Sequence, residues 1–308
     1  IGKSYWKLNN DLFKDKEFIE SFEFYWQVIS RTNEISLEWW DTMKEEIKLF
    51  CIDYSSNKRK DLHREYRRLR NEFENANETN YEHIKEKIKV IENEFCKGSI
   101  IRSKAKLLST NESPSSYFYN REKSNGIEKL ITSIEDNNNT YTKSEDILKC
   151  FRRFYLELYS AEDVDSSLNH HFLGSLPQVE ENDNFHLKQS ITKAEILQCL
   201  KDMKPDKSPG SDGLSSLFYL KFFHIFGDVL ECIYKLTFDH GEMSNSQKLS
   251  YISLICKDRT HANEMKYYRP ISLLNIDRKI LSKVLTNRMR EVLPKLIGIS
   301  QTCAVKNR

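Results

Sequence analysis

The sequence predicts a mainly α protein with a small antiparallel β-sheet, an α+β chain. Three observations carry this. Glycine and proline are scarce, at 9 and 6 of 308 residues, which argues against a sandwich or barrel built on many turns. Apolar residues recur at helical spacing through long stretches of the chain. Strand-like segments flank only an Asn-rich turn near residue 137 and a polar loop at residues 258–266.

Residues 1–12 form a short amphipathic piece. Phe18, Phe22, Tyr25, Trp26 and Ile29 then make one helical stripe. A second begins at Ile35 and Leu37, passes Trp40, Met43 and Ile47, and reaches Cys51 and Tyr54, with Ser36 placed to cap its start. Leu62, Tyr66, Leu69 and Phe73 continue as a seam through a basic run from Lys58 to Arg70. After a polar break at residues 75–80, Tyr81, Ile84, Ile88, Ile91 and Phe95 form another seam. Two seams joined by a short polar break predict an antiparallel helical hairpin with coiled-coil-like packing. Two readings fit the basic run: contact with RNA, with Arg67 and Arg68 as candidates, and a solvated coiled-coil face, the more usual explanation of such charge.

Farther on, Arg102, Lys104 and Lys106 lead to Tyr117, Phe118 and Tyr119. Charge interleaved with rings suits RNA, and core packing of the rings is the alternative. Residues 127–134, 136–139 and 140–142 read as strand, turn and return. Thr142 and Glu145 fit a capping box ahead of a helix that buries Ile147, Leu148, Phe151, Phe154, Tyr155 and Leu158. Residues 161–190 read as an acidic linker, with His170 and His171 on its surface. Thr192 and Glu195 fit a second capping box, opening a helix through Ile196, Leu197, Leu200 and Met203. Residues 204–214 make a rigid Pro/Gly turn whose backbone and Lys207 suit a phosphate chain.

The segment from Tyr251 to Cys256 alternates as a strand. Pro270 keeps Arg269 extended, so Lys257 and Arg269 fall near the open end of an extended pair. Two fixed cations there suit a triphosphate, and solvated strand-end charges are the alternative. A last helix carries Ile276, Ile280, Val284, Leu285, Met289, Val292 and Leu293 on one stripe. Lys279, Lys283, Arg288 and Arg290 lie on its other faces, which fits either a nucleic-acid backbone or solvent.

Charged residues make up 31% and apolar residues 39% of the chain, a composition expected of a soluble protein with a core. Net charge is +2, so any nucleic-acid footprint is local. Seven scattered cysteines predict a reducing, intracellular compartment, with neither a disulfide framework nor a zinc site. No run of ~18 apolar residues predicts a membrane span. The first residues lack the apolar segment of a signal peptide, and the absence of an initiating Met suggests a fragment.

Taken in order, the motifs resemble those of reverse transcriptases from non-LTR (LINE-type) retrotransposons. The resemblance rests on Lys207-Ser208-Pro209-Gly210 with Asp212-Gly213, on Phe218-Tyr219 with Phe222, and on the strand ending at Lys257. It continues through Tyr268-Arg269-Pro270-Ile271-Ser272-Leu273-Leu274, the basic helix with Asn287-Arg288, and the segment from Gln301 to Arg308. Residues 151–159 match a packing motif of that family, and residues 110–118 stand in place of another. Ser211, Cys256, Cys303-Ala304 and Asn307 depart from its pattern.

The resemblance implies a division into an endonuclease-like tail (1–12), a helical linker (13–110), an N-terminal extension (111–190) and the fingers of a right-hand polymerase (191–308). It implies nucleotide phosphates as ligands of Lys257 and Arg269. It also implies an RNA template and a DNA primer as partners, with contact candidates Lys207, Lys279, Arg288, Arg308, Arg67, Arg68 and Arg102, and residence in cytoplasm and nucleus. The Mg²⁺-binding carboxylates of such polymerases belong to a palm that follows the point where residue 308 falls. No Mg²⁺ site and no DNA synthesis are therefore expected of this chain alone. The alternatives are a non-catalytic nucleic-acid-binding module and a helical interaction protein acting through residues 35–96.

Overall fold

The computed structural model describes residues 5–31, 34–75, 78–103, 120, 123–124, 127, 130, 131–137, 139–161, 177–205, 207–298 and 300–301. The sequence motif at 104–119, the histidines at 170 and 171 and the segment 302–308 with Arg308 lie outside them, as does the side chain of Arg102. Among the described residues the architecture is mostly helical with two two-stranded antiparallel sheets, an α+β fold. The chain divides into two compact units. One consists chiefly of Ile52–Arg152 with Asp258–Tyr267, the other of Lys3–Cys51, Arg153–Lys257 and Tyr268–Arg308.

In the first unit the helical hairpin forms as its seams require. Helix α2 (Leu37–Glu74) stops at the polar break, and α3 (Glu78–Ser103) begins three residues after residue 75. Leu69, Ile88 and Ile91 are buried, with Leu62, Tyr66, Phe73, Ile84 and Phe95 packed around them. Tyr66 donates to Glu92 across the seam at 2.9 Å. Strands β1 (Ile134–Asp136) and β2 (Asn139–Tyr141) pair around Asn137, which takes the left-handed conformation at φ 49° that Asn tolerates better than most residues. The backbone N–H of Glu135 donates to the carbonyl of Asn263 at 2.8 Å.

The second unit is organised around aromatic rings. Asp15 caps α1 (Lys16–Ile29), accepting from the N–H of Glu17 at 3.2 Å. The helix buries Phe18, Phe22 and Trp26. Phe22 meets Phe222 at 4.5 Å between centroids, and Trp26 meets Phe226 edge-on at 4.8 Å. Each such ring stabilises by roughly 1.5–3 kcal/mol through burial alone. Helix α4 (Ser144–Leu158) runs between the two units in sequence. Helices α7 (Ser216–Lys221) and α8 (Phe223–His240) supply the facing rings. After the one-turn helix α9 (Asn245–Lys248), strands β3 (Ser250–Cys256) and β4 (Tyr268–Leu274) form a hairpin, and α10 (Ile276–Leu296) follows one residue after it.

Local readings differ from the structure at several places, among them Met289, read on the buried stripe of α10 but exposed. Helix α4 begins at Ser144 with the carbonyl of Lys143 accepting its first bonds, so Thr142 is not its cap. Leu148 and Leu158, expected in its apolar stripe, are exposed, while Ile147 and Phe151 are buried. Residues read as acidic linker include a short helix, α5 (Glu181–Lys188), whose acidic first turn and basic last turn suit the helix dipole. The strand read over residues 127–134 is confined to β1 at Ile134–Asp136, with residues 131–133 outside it. The capping box at Thr192 does form: it opens α6 (Lys193–Lys201), and Glu195 completes it. Among the described residues no helix is long and apolar enough to cross a membrane.

Candidate nucleic-acid interface

The turn at residues 204–214 is held by the residue that starts α10. Asn275, fully buried, accepts from the N–H of Asp212 and the hydroxyl of Ser211, both at 3.2 Å, and donates to the carbonyl of Ser246 at 2.8 Å. Gly210 lies against it so closely that a Cβ there would come within 2.1 Å of the Asn275 side chain. Gly213 takes φ +74° and faces Trp6. The chain start secures the other side. Tyr5 donates its hydroxyl to the carbonyl of Pro209 at 3.0 Å, and the N–H of Leu8 donates to the carbonyl of Gly213 at 3.0 Å.

This clamp gathers ammonium groups. Lys279, one turn into α10, donates to the carbonyl of Ser208 at 3.3 Å. Lys7 donates to the Ser208 hydroxyl at 3.3 Å. Lys204, Lys207 and Lys279 line a groove of about 460 Å³ whose other walls include Met203, Ile271, Leu273 and Ile276. Burial holds the Lys279 ammonium below its ordinary pKa, against a raising influence from Asp212. Several point charges beside an apolar wall can take a phosphate together with the sugar or base edge attached to it.

The structure therefore brings Lys207 and Lys279 together, and adds Lys204 and Lys7. Lys204 was legible as a neighbour of Lys207 in the same turn. Lys7 reaches the site only through tertiary structure, and nothing in its local sequence marks it.

Lys257 and Arg269 occupy a different place. Arg269 pairs with Ile255 in the hairpin register, and Lys257 follows the last pair, Cys256 with Tyr268. They stand at the end where the connecting loop leaves the strands, rather than at the open end of the pair. Both are exposed, and among the described residues neither forms an ion pair. Neither lines the groove, whose nearest wall on β4, Ile271, lies about 7 Å along the strand from Arg269.

Arg288 has a structural position instead. It is nearly buried, and half a turn in rotation away from Lys279 on α10. Its Nε and Nη2 donate to the two carboxylate oxygens of Glu195 at 2.7 and 2.8 Å. Its Nη1 and Nη2 also donate to the carbonyls of Gln189 and Ser190. The sequence reading could not see this partner, which lies 93 residues away. The Arg288 guanidinium, more than any other influence, holds the Glu195 carboxyl down at about 2.

Two buried carboxylates, Asp212 and Asp277, belong to the same unit as the clamp. Asp277 is fully buried and accepts from Lys44 at 2.8 Å, from the Trp40 indole at 2.9 Å and from the N–H of Arg278 at 2.8 Å. Asp212 accepts from the N–H of Leu214 at 3.0 Å through one oxygen, and its other oxygen is buried without a hydrogen-bond partner. Burial, and then the charge of Asp277, push the Asp212 carboxyl up to about 7. Among the described residues no group of three or more His, Cys, Asp or Glu side chains is placed to hold a metal ion.

No family model matches the chain. It is 28% identical over 320 residues to the transposon TX1 uncharacterized 149 kDa protein of Xenopus laevis, an alignment that covers 99% of this chain and 24% of that protein. The chain thus spans about a quarter of the length of the relative it matches. Over nearly its whole length, the chain is similar to a segment of a transposon-encoded protein, which supports a transposon-derived origin.

Proposed function

We propose that the chain is the part of a LINE-type RNA-directed DNA polymerase that grips nucleic acid ahead of the catalytic palm, and that alone it binds RNA without copying it. The observation that carries this reading is the convergence of Lys7, Lys204, Lys207 and Lys279 on the clamped turn around Ser208. The same turn carries the motif through which the sequence resembles that family. In this reading the groove holds the RNA template backbone beside the DNA primer duplex. Lys257 and Arg269, exposed at the loop end of the hairpin, oppose the triphosphate of an incoming nucleotide, and Mg²⁺ enters with the palm.

The test is binding of a single-stranded RNA across a salt series. Lys207→Ala/Lys279→Ala should weaken binding and flatten the dependence of log K on log salt by about 1.4, at ~0.7 per phosphate contact on a single strand. Lys257→Ala/Arg269→Ala should leave RNA affinity within about twofold, because its ligand is a nucleotide completed by another domain. With Mg²⁺, a primed template and nucleotides, the chain alone should extend no primer. RNA affinity that ignores the loss of Lys207 and Lys279 would overturn the groove reading.

A further inference from the structure

The helical hairpin of the first unit carries a feature that the groove does not use. At about 100° of rotation per residue, Arg59, Lys60, His63, Arg67 and Arg70 fall within one sector of α2 about 100° wide. Asp61, Glu65 and Glu72 fall together on the opposite flank of the buried seam. The ion pairs follow this division. Arg64 pairs with Asp61 at 3.0 Å, and Arg68 pairs with Glu65 at 2.6 Å and Glu72 at 3.8 Å. Among the described residues, no carboxylate lies within ion-pair distance of Arg59, Lys60, Arg67 or Arg70. All four are exposed. Between Ser56 and Arg70 the sector holds no acidic and no apolar side chain.

We propose that this face of α2 is a second binding surface, for the phosphate backbone of duplex nucleic acid. The row extends over about 16 Å of straight helix, and a duplex presents a charge roughly every 1.7 Å of its axis. A protein partner would need apolar or aromatic anchors, and the sector has none. A single strand would need free rings on which bases stack. The rings of this arm are engaged with one another: His63 stacks on Phe95 at 4.4 Å, Phe95 meets Tyr66 edge-on at 5.6 Å, and Phe73 packs on Tyr81 at 4.6 Å. What remains exposed on the sector is a rigid line of cations, which suits backbone contact without reading of bases.

The inference uses none of the groove residues and stands if the groove reading fails. Its test compares two variants that remove equal charge from the same helix, Arg59→Gln/Arg67→Gln and Arg64→Gln/Arg68→Gln. Each is titrated with an RNA duplex, the DNA duplex of the same sequence and single-stranded oligouridine, with Lys207→Ala/Lys279→Ala alongside. The first variant should lose about tenfold or more in duplex affinity at ~0.1 M salt and flatten the salt slope by about 1.8, at ~0.9 per contact. The second should change by less than about twofold, because those guanidiniums already have carboxylate partners. Oligouridine binding should fall only in the groove variant. Loss on both duplexes marks a general backbone surface, and loss on one alone names the duplex it takes. All four positions are exposed, so circular dichroism should report unchanged helix. Equal losses in the two arm variants, no loss in either, no duplex binding by the parent chain, or a greater loss for oligouridine than for duplex would each overturn the proposal.

Discussion

Truncating Arg288 separates a structural arginine from a nucleic-acid contact. Arg288→Ala removes two charge-assisted hydrogen bonds to Glu195 and strips the carbonyls of Gln189 and Ser190 of their donor. Removing one partner of a buried pair costs roughly 3–5 kcal/mol. The Glu195 side chain is 30% exposed, so water recovers part of this, and we expect about 2–3 kcal/mol. For a unit of this size that corresponds to a fall in Tm of roughly 5–10 °C, readable by thermal unfolding followed by circular dichroism. The sign with pH follows from the same pair. Glu195 is held below its unfolded value, so its contribution is present above about pH 4.5 and is lost as pH falls toward about 2. The variant should lose that acid sensitivity along with its stability. Below its melting transition it should bind RNA as the parent does. A Tm within about 2 °C of the parent, combined with a tenfold loss of RNA affinity, would refute this reasoning and return Arg288 to the interface.

Other perturbations test the clamp and the buried charges. Asp212 is held above its unfolded value, so the stability it lends its protonated form should decline as pH rises from about 4 to about 7. Asp212→Asn should remove that slope and unfold at higher urea than the parent at pH above about 7, by on the order of 1–3 kcal/mol; a less stable variant there would contradict the assignment. Gly213→Ala combines φ +74° with a Cβ only 2.4 Å from the Trp6 ring, so urea unfolding should show a loss of about 2–4 kcal/mol. Lys44→Met should strand the buried Asp277 charge and cost ~3–5 kcal/mol, with much of the loss restored in Lys44→Met/Asp277→Asn; an undiminished loss in the double variant would show that packing, not charge, dominates there.

The features legible in the sequence were those fixed by near neighbours. The seams ending at Phe73 and resuming at Tyr81 located the bend of the hairpin, because helical periodicity and a polar break act over a few residues. The capping box at Thr192 was legible for the same reason. The alternation from Tyr251 to Cys256 and the extended run after Tyr268 gave both strands of the longer hairpin. What escaped depended on distant partners. The pairing of Lys44 with Asp277 spans 233 residues, and neither residue carries a local sign of it. Glu195 was legible as a capping residue but not as the counter-ion of Arg288. The candidate site shows the same split: Lys207 stood out in its Pro/Gly turn, whereas Lys7 joins it across 201 residues. Arg67 and Arg68 are adjacent and alike in sequence, and only the rotation of α2 and the positions of Glu65 and Glu72 tell them apart.

The aromatic core of the second unit imposes a timetable on synthesis. Phe22 waits for Phe222, and Trp26 for Phe226. At ~5–20 residues per second, the intervening stretch takes roughly 10–40 s to emerge. Throughout that interval α1 has only its nearer partners, Phe50 beside Phe22 and Trp39 beside Trp26, and Lys44 lacks Asp277. The helical hairpin, whose rings meet across a few tens of residues, needs no such wait and can close while the ribosome is still working. A nascent chain stalled before Phe218 would thus carry a formed arm and a helix whose rings are covered on one side only, a species for holdase chaperones to capture and one prone to aggregate in their absence.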